Sequence, residues 1–242
     1  MQMIRKIQSN LKKLGTPERA KSSAWFFKTG PGQYGEGDVF YGITVPEQRK
    51  VAKQFFEQIT FQEILQLLKS KVHEERFVAL EILVMKYELA QKLSDLKTQK
   101  KIFELYLKSA KLVNNWDLVD TSAPYIAGAY LHTRPAQERA KVLRKLALSK
   151  NLWERRIAIV SCLFPISQKQ FKDALVVSQL LLSDKHDLIH KAVGWILREI
   201  GKKDLETEIL FLDKHLKSMP RTTLRYAIER FPEKLRLKYL RT

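Results

Sequence analysis

A single cysteine, Cys162, stands in 242 residues. That excludes a disulfide framework and any zinc site built from several thiolates. Its place in the apolar run Ile159–Phe164 reads as a buried packing residue, not a nucleophile. Long apolar runs are missing as well. Stretches such as Ala79–Met85 fall far short of the ~20 residues of a membrane span. Residues 1–13 carry a charge or an amide every few positions and no apolar core, so no secretory signal is expected. The expected compartment is a reducing cytoplasm, at the nucleoid if the source is bacterial. Acids are scarce: 26 Asp+Glu stand against 44 Lys+Arg, a net charge of +18. An excess of that size calls for a polyanionic partner, nucleic acid ahead of an acidic membrane surface.

Only 9 Gly and 8 Pro punctuate the chain, and strand-like alternation is absent. Val39-Phe40-Tyr41 is too short to count as a strand and reads as loop. Elsewhere apolar residues recur at three- and four-residue steps, as in Phe77, Leu80, Leu83, Val84 and Tyr87. The same period spans 102–110, 118–131, 157–163, 175–182, 189–200 and 224–231. Thr16-Pro17-Glu18 and Val45-Pro46-Glu47 mark helix first turns. Pro165 and Pro232 mark expected helix ends. Strongly amphipathic helices open at Asn115-Trp116-Asp117, Leu152-Trp153-Glu154 and Leu188-Ile189-His190, at nearly even spacing. Similar ones open near Glu75-Arg76 and Thr222. Shorter helices at 98–110, 136–148, 170–182 and 205–216 fill the gaps. Paired helices at that period predict an all-α, HEAT-like helical-repeat solenoid of stacked antiparallel pairs, in one domain over 1–242.

Five glycines cluster between Lys28 and Gly42. Gly30-Pro31-Gly32-Gln33-Tyr34-Gly35 matches G-x-G-x-x-G, yet a helix precedes it and more loop follows. A dinucleotide fingerprint needs a strand before and a helix directly after. The stretch 29–42 therefore reads as a flexible loop carrying Tyr34, Phe40 and Tyr41. His186 and His190 have a metal-compatible spacing, but no third ligand is in register and H-E-x-x-H is absent. No metal and no cofactor are expected.

Trp116 and Asp120 are four apart and share a helix face. Trp153 and Arg156 hold a comparable place one repeat on, and Trp195 and Arg198 two repeats on. In a solenoid such positions line one surface, so an aromatic, a carboxylate and a guanidinium are expected to converge on a groove. The alternative left open at this level is that the tryptophans fill the core and Asp120 pairs with Arg156.

The strings Asn115-Trp116-Asp117-Leu118-Val119-Asp120, Leu152-Trp153-Glu154-Arg155-Arg156-Ile157-Ala158 and Lys191-Ala192-Val193-Gly194-Trp195-Ile196-Leu197-Arg198-Glu199 resemble the AlkD-type DNA alkylation repair family. Upstream, Gly42-Ile43 with Pro46 and Arg49 is similar to that family's G-I-x-x-P-x-x-R segment. The resemblance runs from about Ala24 to Glu199. It implies a curved stack of HEAT-like pairs with a basic concave face. It also implies a monofunctional DNA glycosylase that removes N3- and N7-alkylated purines from duplex DNA, with no obligatory protein partner and no membrane. On this resemblance Asp120 matches the catalytic aspartate, and Trp116 and Trp195 match two tryptophans flanking the lesion's deoxyribose. Arg156 matches a groove arginine, with Trp153, Arg155 and Arg198 beside it as DNA contacts. The family's N-terminal tyrosine has no clean match: Phe26 stands in its place, with Tyr34 and Tyr41 as alternatives. A groove without a deep base pocket, tolerant of bulky adducts, is implied as well. Two rivals share the fold, a non-catalytic DNA-binding protein and a protein scaffold.

Basic runs support a phosphate track. Residues 134–156 hold eight Lys+Arg and two acids, and residues 214–242 hold nine and two.

Overall fold

The computed structural model describes residues 2–241 and is helical, with no strand among those residues. An isolated bridge pairs Val39 with Val72. The chain forms two compact units, Met1–Ile126 and Ala127–Thr242. Among the described residues no helix is long and apolar enough to cross a membrane.

The first unit holds α1 (Gln2–Leu14), α2 (Pro17–Phe26), α3 (Val45–Phe55), α4 (Phe61–Leu68), α5 (His73–Lys92), α6 (Leu96–Lys108) and α7 (Trp116–Ser122). Helix starts obey local rules. Thr16 accepts from the Arg19 N–H with Pro17 at the first helical position, and Thr60 with Glu63 forms a capping box. The centre of the unit is α5, against which α1, α3, α4, α6 and α7 all pack. From Phe77 to Leu83 it is buried all round, as a helix surrounded by others must be. Its first turn is buried too, and every residue in it is polar or charged: His73, Glu74, Glu75 and Arg76 are each no more than 3% exposed.

The segment 38–43 supplies partners for that turn. The N–H groups of Tyr41, Gly42 and Ile43 donate to the Glu74 carboxylate at 3.0, 2.8 and 3.3 Å. Tyr41 Oη donates to Glu75 Oε1 at 2.6 Å, and Gln8 Nε2 to Glu75 Oε2 at 3.0 Å. The His73 N–H, which has no intrahelical acceptor, donates to the Val39 carbonyl at 2.8 Å. Gly42 makes this approach possible. Its φ is +81°, and a Cβ there would lie 2.3 Å from Ala20 N and 2.4 Å from Thr16 O.

The second unit holds α8 (Ala129–His132), α9 (Ala136–Ala147), α10 (Leu152–Val160), α11 (Leu163–Ser167), α12 (Lys172–Leu181), α13 (Asp187–Gly201), α14 (Leu205–His215), α15 (Arg221–Ala227) and α16 (Glu233–Arg241). The packing repeats. Helix α9 packs on α10, α12 on α13, and α14 on α13; between repeats α9 meets α12, α10 meets α13, and α13 meets α15. This two-layer order is the helical-repeat arrangement the spacing predicts. Gly194 allows the close approach of α13 and α15, since a Cβ there would sit 2.5 Å from the Thr223 carbonyl and from Tyr226 Cβ.

Two expectations need correction. The period over 118–131 suggests one helix, but α7 ends at Ser122, and a π-helical turn, Pro124–Gly128, precedes α8. Proline has no N–H to continue the ladder. Pro165 does not end a helix either. It lies in the first turn of α11, where the missing N–H costs nothing.

Glu74, itself buried, satisfies three N–H groups at once, two of them buried, so Glu74→Ala should destabilise the first unit by about 3 kcal/mol. Urea unfolding is the check. A change under about 1 kcal/mol would show that water replaces the carboxylate without loss.

Candidate active site

Helix α7 carries the first half of the predicted constellation. Asn115 caps it, its side chain accepting from the Trp116 N–H at 2.8 Å. Trp116 takes the first helical position and Asp120 lies one turn on; both are half-buried. Three aromatic residues from outside the helix gather on the Trp116 indole. Phe26, at the end of α2, meets it edge-on with centroids 5.8 Å apart, and Phe27 lies at 5.5 Å. From the glycine-rich loop, Tyr34 Oη accepts the indole N–H at 3.2 Å. Phe26 thus arrives where the sequence expects an aromatic, and Tyr34 arrives with it. Tyr41 does not: its hydroxyl is committed to Glu75, and burial together with the Glu75 and Glu74 carboxylates drives its acidity well below that of a free phenol.

Support for α7 comes from charges deeper in the unit. Arg49 Nε donates to Glu81 Oε1 at 3.2 Å, and Thr121 Oγ1 donates to the same oxygen. The motif Gly42-Ile43-x-x-Pro46-x-x-Arg49 is therefore structural. Its first half binds Glu74, and its arginine braces Glu81 against the residue next to Asp120. Behind Asp120, Tyr106 Oη lies 2.9 Å from Ser122 Oγ, and burial with the Asp120 charge keeps that phenol protonated.

A second set of contacts, not foreseen from sequence, centres on His73. Its Nε2 lies 2.7 Å from Asp117 Oδ2 in the first turn of α7, and its Nδ1 lies 3.2 Å from Asp38 Oδ2 in the loop. Arg76 pairs with the other Asp38 oxygen at 2.7 Å. Phe27 and Phe40 stack on the imidazole at 4.7 and 4.9 Å. Burial opposes the charged ring, but the Asp117 charge and the hydrogen bonds to Asp117 and Asp38 outweigh it, and the His73 pKa rises to about 9. Asp38 moves the other way. Burial resists its ionisation, yet the His73 hydrogen bond and the Arg76 charge hold its carboxyl below the usual range. The signal available in sequence was His73-Glu74-Glu75-Arg76 running straight into an apolar helix. Four polar residues in a row ordinarily mean solvent, and only the tertiary packing shows otherwise.

In the second unit, Asn151 caps α10 by accepting from the Trp153 and Glu154 N–H groups. Trp153 is 8% exposed and Arg156 5%, its Nη1 donating to the Leu188 carbonyl at 2.7 Å. The expected DNA contact at Arg155 meets a different arrangement. Its Nε donates to Asp184 at 2.6 Å and its Nη1 to the carbonyls of Ser149 and Lys150. Arg198 pairs with Glu229 and approaches Glu199. Arg155 and Arg198 each have an acid of their own unit within reach, which a spacing argument does not see. Trp195 is half-buried, and its indole N–H donates to Glu199 Oε1 at 3.2 Å. His186 caps α13, and His190 binds the Asp184 carbonyl. Cys162 is buried, its thiol pushed up by desolvation.

His73 yields a pH dependence of known sign. Its folded pKa lies above the ~6.5 of a free imidazole, so its contribution is complete below that value and is lost as pH rises through about 9. The contribution is on the order of 3 kcal/mol. Thermal melts of wild type and His73→Gln should differ most at about pH 6 and converge towards about pH 10. Parallel curves would show that the ring is not charged.

Comparison with solved structures finds a predicted DNA alkylation repair enzyme from Enterococcus faecalis, 17% identical, with a TM-score of 0.69 over 90% of this chain and 97% of that one. At that identity the likeness speaks for the fold. Comparison with curated proteins gives no match. The family model described as DNA alkylation repair enzyme matches residues 7–231, nearly the whole length, and the chain belongs to that family.

Proposed function

We propose that this protein is a monofunctional DNA glycosylase that hydrolyses the N-glycosidic bond of cationic N3- and N7-alkylated purines in duplex DNA. Family membership supports DNA alkylation repair, and the net charge of +18 suits a polyanionic substrate. The observation that carries the catalytic part is the α7 surface. There Asp120 and Trp116 lie one turn apart on a short helix braced from beneath by Glu81 and His73.

The chemistry suits those groups. An N3- or N7-alkylpurine already bears a positive charge. When the C1′–N bond breaks, its electron pair neutralises the base, which leaves without a general acid. Positive charge then develops on the deoxyribose, and water adds at C1′ as its proton passes to carboxylate or solvent. Asp120 supplies a fixed negative charge. At about 4 Å and an effective dielectric of about 20 the attraction is about 4 kcal/mol. Part of that corresponds to roughly 10²–10³ in rate. The Trp116 face excludes water and offers π-density to the cation. Arg155 and Arg198 fit the reading better as struts than as phosphate ligands, because each is already paired with an acid.

Asp120→Asn keeps shape and removes charge. Single-turnover release of 7-methylguanine from a defined duplex should fall roughly 10²-fold. DNA affinity should stay level or improve slightly, since a charge that repels phosphate is gone. Wild-type rates in the variant would refute the role of Asp120. No release by the wild-type protein would favour a DNA-binding protein without catalysis.

Duplex affinity should also fall steeply as salt rises, because each neutralised phosphate releases counterion. Fluorescence anisotropy over a salt series measures the slope. A flat response would remove the phosphate track from the reading.

A further inference from the structure

We propose that His73 is a positioning residue for the reaction: it latches the glycine-rich loop to the first turn of α7 and so fixes Trp116 and Asp120. The inference rests on the glycosylase reading and adds to it a residue and a form of control.

The imidazole is 2% exposed and bonded at both nitrogens to carboxylates from different segments, Asp38 of the loop and Asp117 of α7. A neutral imidazole has one N–H and can satisfy one of them; only imidazolium serves both. Other charges around the ring are accounted for. Arg76, on its own helix, is paired with Asp38. Asn115, the cap of α7, approaches the same Asp38 carboxylate at 3.5 Å. The loop and the segment after α2 contribute only aromatic faces, Phe40 and Phe27. Nothing else charged contacts the ring among the described residues.

Two contacts tie this latch to the candidate catalytic helix. Asp117 directly follows Trp116, so a shift of the Asp117 carboxylate is a shift of the helix start. Tyr34, on the same loop as Asp38, accepts from the Trp116 indole, so loosening the loop frees the indole's polar edge. Loss of the second proton from His73 would leave a lone pair facing a carboxylate at one of its two nitrogens. The bond to Asp38 is the longer, and it is the one expected to open. The loop then swings away with Tyr34, and Trp116 loses its orientation. Misplacement of such groups by about 1 Å is enough to cost a rate factor of about 10².

The experiment compares wild type, His73→Gln, Asp38→Asn and a control, Glu74→Gln, in two measurements between pH 6.5 and 9.5. One is single-turnover release of 7-methylguanine. The other is amide hydrogen exchange over residues 29–42 and 116–122. Wild type should lose rate as pH rises through about 9, with loop exchange accelerating in the same window. His73→Gln should be roughly tenfold slower at neutrality, with no alkaline fall and a loop already in fast exchange. Asp38→Asn should shift the fall to lower pH, because the ring loses one of its two carboxylates. Glu74→Gln weakens the same region without touching the ring and should keep the fall at its wild-type position. A His73→Gln protein with the wild-type profile, or with wild-type loop protection, overturns the proposal. If that variant does not fold, an unmoved fall in Asp38→Asn does so instead. If wild type releases no base, the glycosylase reading fails, while the pH dependence of loop exchange still decides the latch.

Discussion

The first unit depends on burying the charged first turn of α5. His73, Glu74, Glu75 and Arg76 enter the interior together, and each would cost several kcal/mol there without a partner. The segment 38–43 gives each of the four a partner, and Gln8, Ser70 and Asp117 add to Glu75, Arg76 and His73. The two glutamates also face the positive end of their own helix, which favours their charge. Backbone geometry follows from this requirement. Gly42 adopts a left-handed φ because three consecutive N–H groups have to converge on one carboxylate.

From α5, order passes to α7 by two routes. One runs from His73 to Asp117 at the start of the helix. The other runs from Arg49 through Glu81 to Thr121 near its end. A seven-residue helix is too short to be stable by its own hydrogen bonds, so it takes its orientation from what holds it at both ends. Asp120 lies between those two anchors, and Trp116 directly precedes the first.

Much of the architecture was legible in the sequence because helices announce themselves by period and by caps. Asn115 and Asn151 open α7 and α10 close to where the repeat places them, and 136–148 and 205–216 fall almost on α9 and α14. Identification of W-D-x-x-D found α7 as well. What stayed hidden depends on pairing between distant segments. Asp38 and His73 are far apart in the chain, and the pairing of Arg155 with Asp184 and of Arg198 with Glu229 is equally invisible to spacing. Periodicity also overran a chemical break at Pro124, where the apolar pattern continues but the hydrogen-bond ladder cannot.

The balance of charge in the latch bears on why it can sit so close to the proposed reacting centre. Two cations, His73 and Arg76, stand against two anions, Asp38 and Asp117, within hydrogen-bond distances. A balanced group of this kind adds little net potential a turn of helix away, because opposed charges in contact cancel with distance faster than a single one. It therefore restrains α7 mechanically without offsetting the field that a carboxylate such as Asp120 would exert on a developing sugar cation. Had the restraint been a lone lysine or arginine beside Asp117, it would have opposed that field. Preorganised stabilisation requires a fixed position, and paired charges beneath a short helix supply that restraint.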